Sequence, residues 1–233
     1  MLDTVFIYSY GNVMKKELPA KYYLAHFREL IEFVTSKCMY LLEPKHSEFI
    51  NKINQLDEQS QCMLARVYSR KPYLVQAQSL TYEEITSPHQ AIYTLKKAGI
   101  LFEPNEQHYS QLLAHLTKPA LLELLSNYDE QISYKKSAAK GALVDIAREF
   151  FKSCPHELAP LYSQYVINNR SDYYEYFEFL FAGKLSSGDV NHQNRFVMRD
   201  LGLTATREGH SESLSRFETK AEAQSNYLLN RYR

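Results

Sequence analysis

Residues 19–37, PAKYYLAHFRELIEFVTSK, place Tyr23, Leu24, Phe27, Leu30, Ile31 and Val34 at i, i+1, i+4, i+7, i+8 and i+11. Apolar side chains at that period form one stripe along an α-helix. A second helix is expected from about Ser47, with Phe49, Ile50, Ile53 and Leu56 inward, and Asp57 is placed to cap a third through Cys62, Leu64 and Val67. The chain has seven glycines against 19 tyrosines. Gly-rich phosphate loops are therefore scarcely possible, and helices with aromatic faces should dominate.

The third helix runs into Arg66, Arg70 and Lys71, a basic knuckle with no acid inside it, and Pro72 stops the helix because it lacks an amide proton and biases Lys71 away from the helical region. YLVQAQ reads as extended. Thr81 and Glu84 stand in capping-box spacing, HQAIYTLKKAG makes a short helix closed by Gly99, and GILFEP reads as a strand. Two helical stretches follow, SQLLAHLTKPALLELLSNY, in which Thr117 can cap the segment opened by Lys118 and Pro119, and SAAKGALVDIAREFF. Their joint carries Lys135 and Lys136, and Lys140 begins the next helix, where amides and the helix dipole favour a phosphate. After Pro155 the aromatic run with Tyr162, Tyr165, Tyr174, Phe177 and Phe181 reads as a helix buried on several sides. SSGD is expected as a loop, RFVMRDLG as a short helix and REGHSES as a polar turn. Thr219 and Glu222 form a capping box for a last helix, whose apolar Tyr227, Leu228 and Leu229 suggest the front part of something longer.

With 233 residues there is room for one large or two modest domains, and Lys plus Arg balances Asp plus Glu at 27 each. An electrostatic partner must therefore be met by a local patch. Cys38, Cys62 and Cys154 show no CxxC spacing, which argues against zinc and disulfides and for a reducing, cytoplasmic compartment. No stretch approaches the ~18 apolar residues of a membrane span. The eight histidines form no HExxH pattern and read as surface or helix-face residues, and no nucleophile-elbow glycine pattern supports covalent hydrolysis. Arg66, Arg70 and Lys71 have two readings, a phosphate clamp or a solvated helix end. Lys135, Lys136 and Lys140 carry the same pair, with Lys96 and Lys97 a further candidate. Tyr68 and Tyr73 could stack on an unpaired base but read as core; so do Tyr173, Tyr174, Tyr176 and Phe177.

The blocks YYLAHFRELIEFV, QSQCMLARVYSRKPYLV, SLTYEEI and IYTLKKAGIL stand in an order that resembles the N-terminal region of the Fanconi-associated nucleases, the VRR-NUC proteins. FEFLFAGKLSSGDVNHQNRFVMRDLGL and SRFETKAEAQSNYLL also look like that family's later elements. Three helices, an extended segment, a short helix and a strand in that order read as a winged-helix-like module at 1–105, though bundles give the same local signals. With the SAP-like helical pair that the resemblance implies at 106–153 and a helical region at 154–233 leading into a missing part, the expected fold is mainly α with small β content. The resemblance also implies structure-specific DNA repair nucleases whose Mg- or Mn-dependent VRR-NUC domain is absent here. Glu218-Thr219-Lys220 imitates that domain's ExK, but reads better as the start of a helix. The expectation is a front portion that holds branched or 5′-flap duplex by its phosphates, with Arg70 and Lys71 matching the family's RK, no cofactor of its own, no membrane partner, and possible docking to a VRR-NUC domain. Rival readings are a helical interaction scaffold, or a winged-helix regulator, which would need more base-reading side chains on its third helix.

Overall fold

In the computed structural model, residues 18–185, 197, 200 and 215–232 are described. Ten α-helices are labelled here in chain order: α1 Tyr22–Lys37, α2 Pro44–Asn54, α3 Glu58–Tyr68, α4 Pro88–Lys97, α5 Tyr109–His115, α6 Lys118–Ser126, α7 Lys140–Phe151, α8 Ala159–Tyr162, α9 Tyr174–Ala182 and α10 Lys220–Arg231. Two short strands, β1 Leu74–Gln76 and β2 Tyr165–Ile167, pair antiparallel with Leu74 opposite Ile167 and Gln76 opposite Tyr165. The fold is mainly α with small β content, as expected.

The described residues divide into two compact units that are not consecutive stretches of chain. The first holds residues up to Ser69, Glu83–Thr86, and those from Arg170 onward. Its core joins the α1 stripe, every member of which is buried, to the aromatic face of α9. Phe27 stacks on Tyr174 at 5.4 Å between centroids, and Phe49 stacks on Tyr173 at 4.6 Å. Offset aromatic stacking of this kind adds to the area each ring buries. Asp57 caps α3 as expected, accepting from the Ser60 amide at 2.9 Å. Helix α2 begins at Pro44 rather than near Ser47, because Glu43 and His46 close a capping box ahead of it.

The second unit holds Arg70–Tyr82 and Ser87–Asn169. Leucines of α5 and α6 and Leu143, Val144, Ala147 and Phe151 of α7 build its core, together with Leu74 and Ile167 from the two strands. Thr117 caps α6, accepting from the Ala120 amide. Gly99 closes α4 with φ 65°. The Gly99 and Ile100 amides donate to the Lys96 and Leu95 carbonyls at 3.0 Å each, a Schellman ending.

Three expectations need correction. Thr81 and Glu84 do not open a helix: residues 81–87 are irregular, and the Glu84 carboxylate pairs with Arg66. GILFEP contributes only a single antiparallel bridge, Phe102 to Ile167. The run after Pro155 is not one helix, since β2 interrupts it to pair with β1. Its aromatic residues are nonetheless core, with Tyr162, Tyr165, Tyr174 and Phe177 all buried. Of the surface or helix-face histidines, His26 and His46 lie on the buried faces of α1 and α2. The His46 ring stacks on Tyr176 at 5.1 Å, and its Nδ1 accepts from the Glu43 amide at 3.0 Å. The SSGD loop, the REGHSES turn and most of the RFVMRDLG helix lie outside the described residues, although Val197 and Asp200 are helical.

Candidate functional site

The knuckle is built where Pro72 forces the chain out of α3. Arg66, in the last turn of that helix and in the first unit, is drawn inward. Its Nε and Nη2 donate to Glu84 Oε1 at 3.0 and 2.6 Å, and its guanidinium carbon sits 3.9 Å from the centre of the Tyr23 ring. Burial pushes the Glu84 carboxyl up, but the bonds from Arg66, from its own backbone amide and from the Tyr23 side chain outweigh it and hold Glu84 below the usual carboxylate range. Arg66 is thus committed to an internal ion pair.

Arg70 and Lys71 belong to the second unit and follow a different logic. Arg70 donates from Nε and Nη2 to the Tyr82 hydroxyl at 3.3 and 2.9 Å, and from Nη2 to the Ser79 carbonyl at 3.3 Å. Among the described residues, these partners are neutral. As uncharged groups, they hold the guanidinium in place without themselves neutralising its charge. Lys71 is exposed beside it. The turn itself is pinned by Asn168, a buried residue just after β2. Its Nδ2 donates to the Arg70 carbonyl at 2.7 Å, and its amide donates to the Tyr73 carbonyl at 2.7 Å. Neither Tyr82 nor Asn168 was visible as a site residue in the sequence; only the position of Tyr82 inside the SLTYEEI block hinted at a role.

The other basic candidates also lie in the second unit. Lys135 and Lys136 are exposed on the loop between α6 and α7, and Lys136 shares an open cleft of about 460 Å³ with Asp129 and Glu130. Lys140 is the first residue of α7, as expected, and its Nζ donates to the Ala114 carbonyl at 3.0 Å. Lys96 is paired with Glu103 at 2.5 Å, while Lys97 is exposed. Tyr68 is core at 1% exposure, but Tyr73, expected in the core, is 46% exposed. Its carbonyl accepts from the amide of buried Asn168, while its side chain faces out. Glu218-Thr219-Lys220 is the start of α10: Thr219 accepts from the Glu222 amide at 3.2 Å and Glu222 accepts from the Glu218 amide at 3.0 Å. Among the described residues no cluster of three or more His, Cys, Asp or Glu is placed to hold a metal, and no helix is long and apolar enough to cross a membrane.

Comparison with known proteins gives a concordant picture. Residues 21–102 match the model of the FAN1 HTH domain. The chain is 28% identical over 117 residues to a Fanconi-associated nuclease 1 homolog of Pseudomonas aeruginosa, a match covering 50% of this chain and 21% of that protein. It is likewise 28% identical over 96 residues to a Fanconi-associated nuclease 1 homolog of Oryza sativa subsp. japonica, covering 41% of this chain and 10% of that one. Two crystal structures of paFAN1, bound to 5′-flap DNA with a gap and a flap of two nucleotides or one, superpose with TM-scores of 0.67 and 0.68 at 22% and 21% identity. They cover 91% and 89% of this chain and 38% of theirs, so the chain spans well under half the length of the proteins it matches. At those identities the likeness to paFAN1 is one of fold. The resemblance to the N-terminal region of Fanconi-associated nucleases stands.

Proposed function

We propose that this chain, similar in sequence and fold to the N-terminal region of the Fanconi-associated nucleases, binds branched or 5′-flap duplex DNA through backbone phosphates and orients it for a metal-dependent nuclease domain elsewhere. The observation that carries the reading is Arg70. Its guanidinium is held by two neutral groups, the Tyr82 hydroxyl and the Ser79 carbonyl, on a turn that also exposes Lys71. A cation fixed by neutral groups contacts a phosphate at little entropic cost, and the contact fixes register rather than reading sequence. Lys135, Lys136 and Lys140 extend the phosphate-binding surface in this reading, with Lys136 weakest because Asp129 and Glu130 share its cleft. Arg66, paired with Glu84 inside the first unit, is left out of the phosphate-binding surface in this reading. The winged-helix-like reading of 1–105 and the SAP-like reading of 106–153 belong to the same proposal.

The test is a fluorescence-anisotropy titration of a 5′-flap duplex with the wild type and with an Arg70→Glu, Lys71→Glu variant. The expected result is a loss of at least tenfold in affinity with the thermal melt unchanged; equal affinity would sink the assignment. A scaffold reading is favoured by one observation, the exposure of Leu228, Leu229 and Tyr232 on and just after α10 at 50, 60 and 82%. In that reading α10 docks a nuclease domain or another protein, a role compatible with DNA binding by the second unit.

A further inference from the structure

We propose that the cleft beside the basic turn receives one unpaired nucleobase, stacked on Tyr73; this rests on the DNA-binding reading above and gives it a preference for interrupted over continuous duplex. The cleft has a volume of about 430 Å³ and is lined by Pro72, Tyr73, Leu74, Gln111 and His115. That volume lies in the range of roughly 300–1,000 Å³ usual for small-ligand clefts. Pro72 and Leu74 offer apolar wall, while the Gln111 amide and the His115 ring supply donors and acceptors for a base edge.

The aromatic surface is held in place. Tyr73 is 46% exposed, and its ring lies near-parallel to His108, 6.2 Å between centroids and 24° between planes. Its carbonyl is fixed by the Asn168 amide at 2.7 Å. A ring ordered before binding costs less to stack upon than one that must be ordered. The cations Arg70 and Lys71 precede Tyr73 on the same pinned turn, so phosphate contact and base contact come from four consecutive residues. Aromatic rings beside cations are the combination by which single strands are held without regard to sequence, since every base has a π-face. A peptide ligand would leave that basic turn unexplained.

The experiment pairs two DNAs of equal length, a continuous duplex and one carrying a single unpaired 2-aminopurine, and reads anisotropy for both and fluorescence quenching for the second. Wild type is expected to bind both and to quench the 2-aminopurine. Tyr73→Leu should lose roughly 5- to 150-fold in affinity for the unpaired-base DNA alone, whereas Tyr73→Phe should keep it. If Tyr73→Leu fails to melt like the wild type, Gln111→Ala replaces it, with a smaller loss expected on the same DNA only. Affinity and quenching that neither Tyr73→Leu nor Gln111→Ala changes would overturn the stacking site and leave phosphate binding intact. Wild type binding neither DNA would overturn the DNA-binding reading itself, and the stacking site with it.

Discussion

Arg66 donates two hydrogen bonds to Glu84 and lies over Tyr23, whereas Arg70 is steadied by a phenol and a carbonyl. The two arginines should therefore separate in experiment. Arg66→Ala leaves a carboxylate half-buried without its cation and is expected to cost about 1–3 kcal/mol of stability, read by thermal or urea unfolding. Arg70→Ala, which removes bonds to a phenol and a carbonyl, should cost less than about 1 kcal/mol. A pH effect belongs to His46. Burial first, and then the nearby Lys45 ammonium, hold this histidine down to about 4 from an ordinary 6.5. The unfolded chain thus takes up the proton first as pH falls. The stabilising contribution of the neutral ring, whose Nδ1 accepts from Glu43, is complete above about 6.5 and is lost as pH drops toward about 4. Melting at pH 7 and pH 4.5 should show a smaller acid loss for His46→Gln than for the wild type; parallel profiles would contradict the assignment.

Elements whose determinants are local were legible in the sequence. The α1 stripe, the Asp57, Thr117 and Thr219 caps and the Gly99 ending depend on neighbours within one or two turns, and all are present. Gly99→Ala tests this level. At φ 65° an added Cβ crowds the backbone, so a loss of about 1–2 kcal/mol is expected, and an unchanged unfolding midpoint would refute it. What distance decides was not legible. Strand β2 is three residues of an aromatic run, and becomes a strand only because β1, some ninety residues earlier, pairs with it. Thr81 and Glu84 have the spacing of a cap, yet no helix starts there and Glu84 pairs with the guanidinium of Arg66, eighteen residues earlier. For the same reason Arg70 and Lys71 could be singled out, while their supports could not: Tyr82 lies twelve residues on from Arg70, and Asn168 ninety-eight.

Across the molecule the formal charge sums to zero, so no overall field draws it to a polyanion, and the proposed binding rests on local cations. That makes salt the decisive variable. Each phosphate neutralised releases counterions, and log affinity falls against log salt with a slope of about −0.9 per contact. Docking through the exposed apolar side chains of the α10 region would show no such slope. The most direct measurement is anisotropy with a 5′-flap duplex across a salt series, for the wild type and for an Arg70→Gln, Lys71→Gln variant. The account predicts a steep negative slope for the wild type and one shallower by about 2 for the variant. Equal slopes, or binding indifferent to salt, would contradict it.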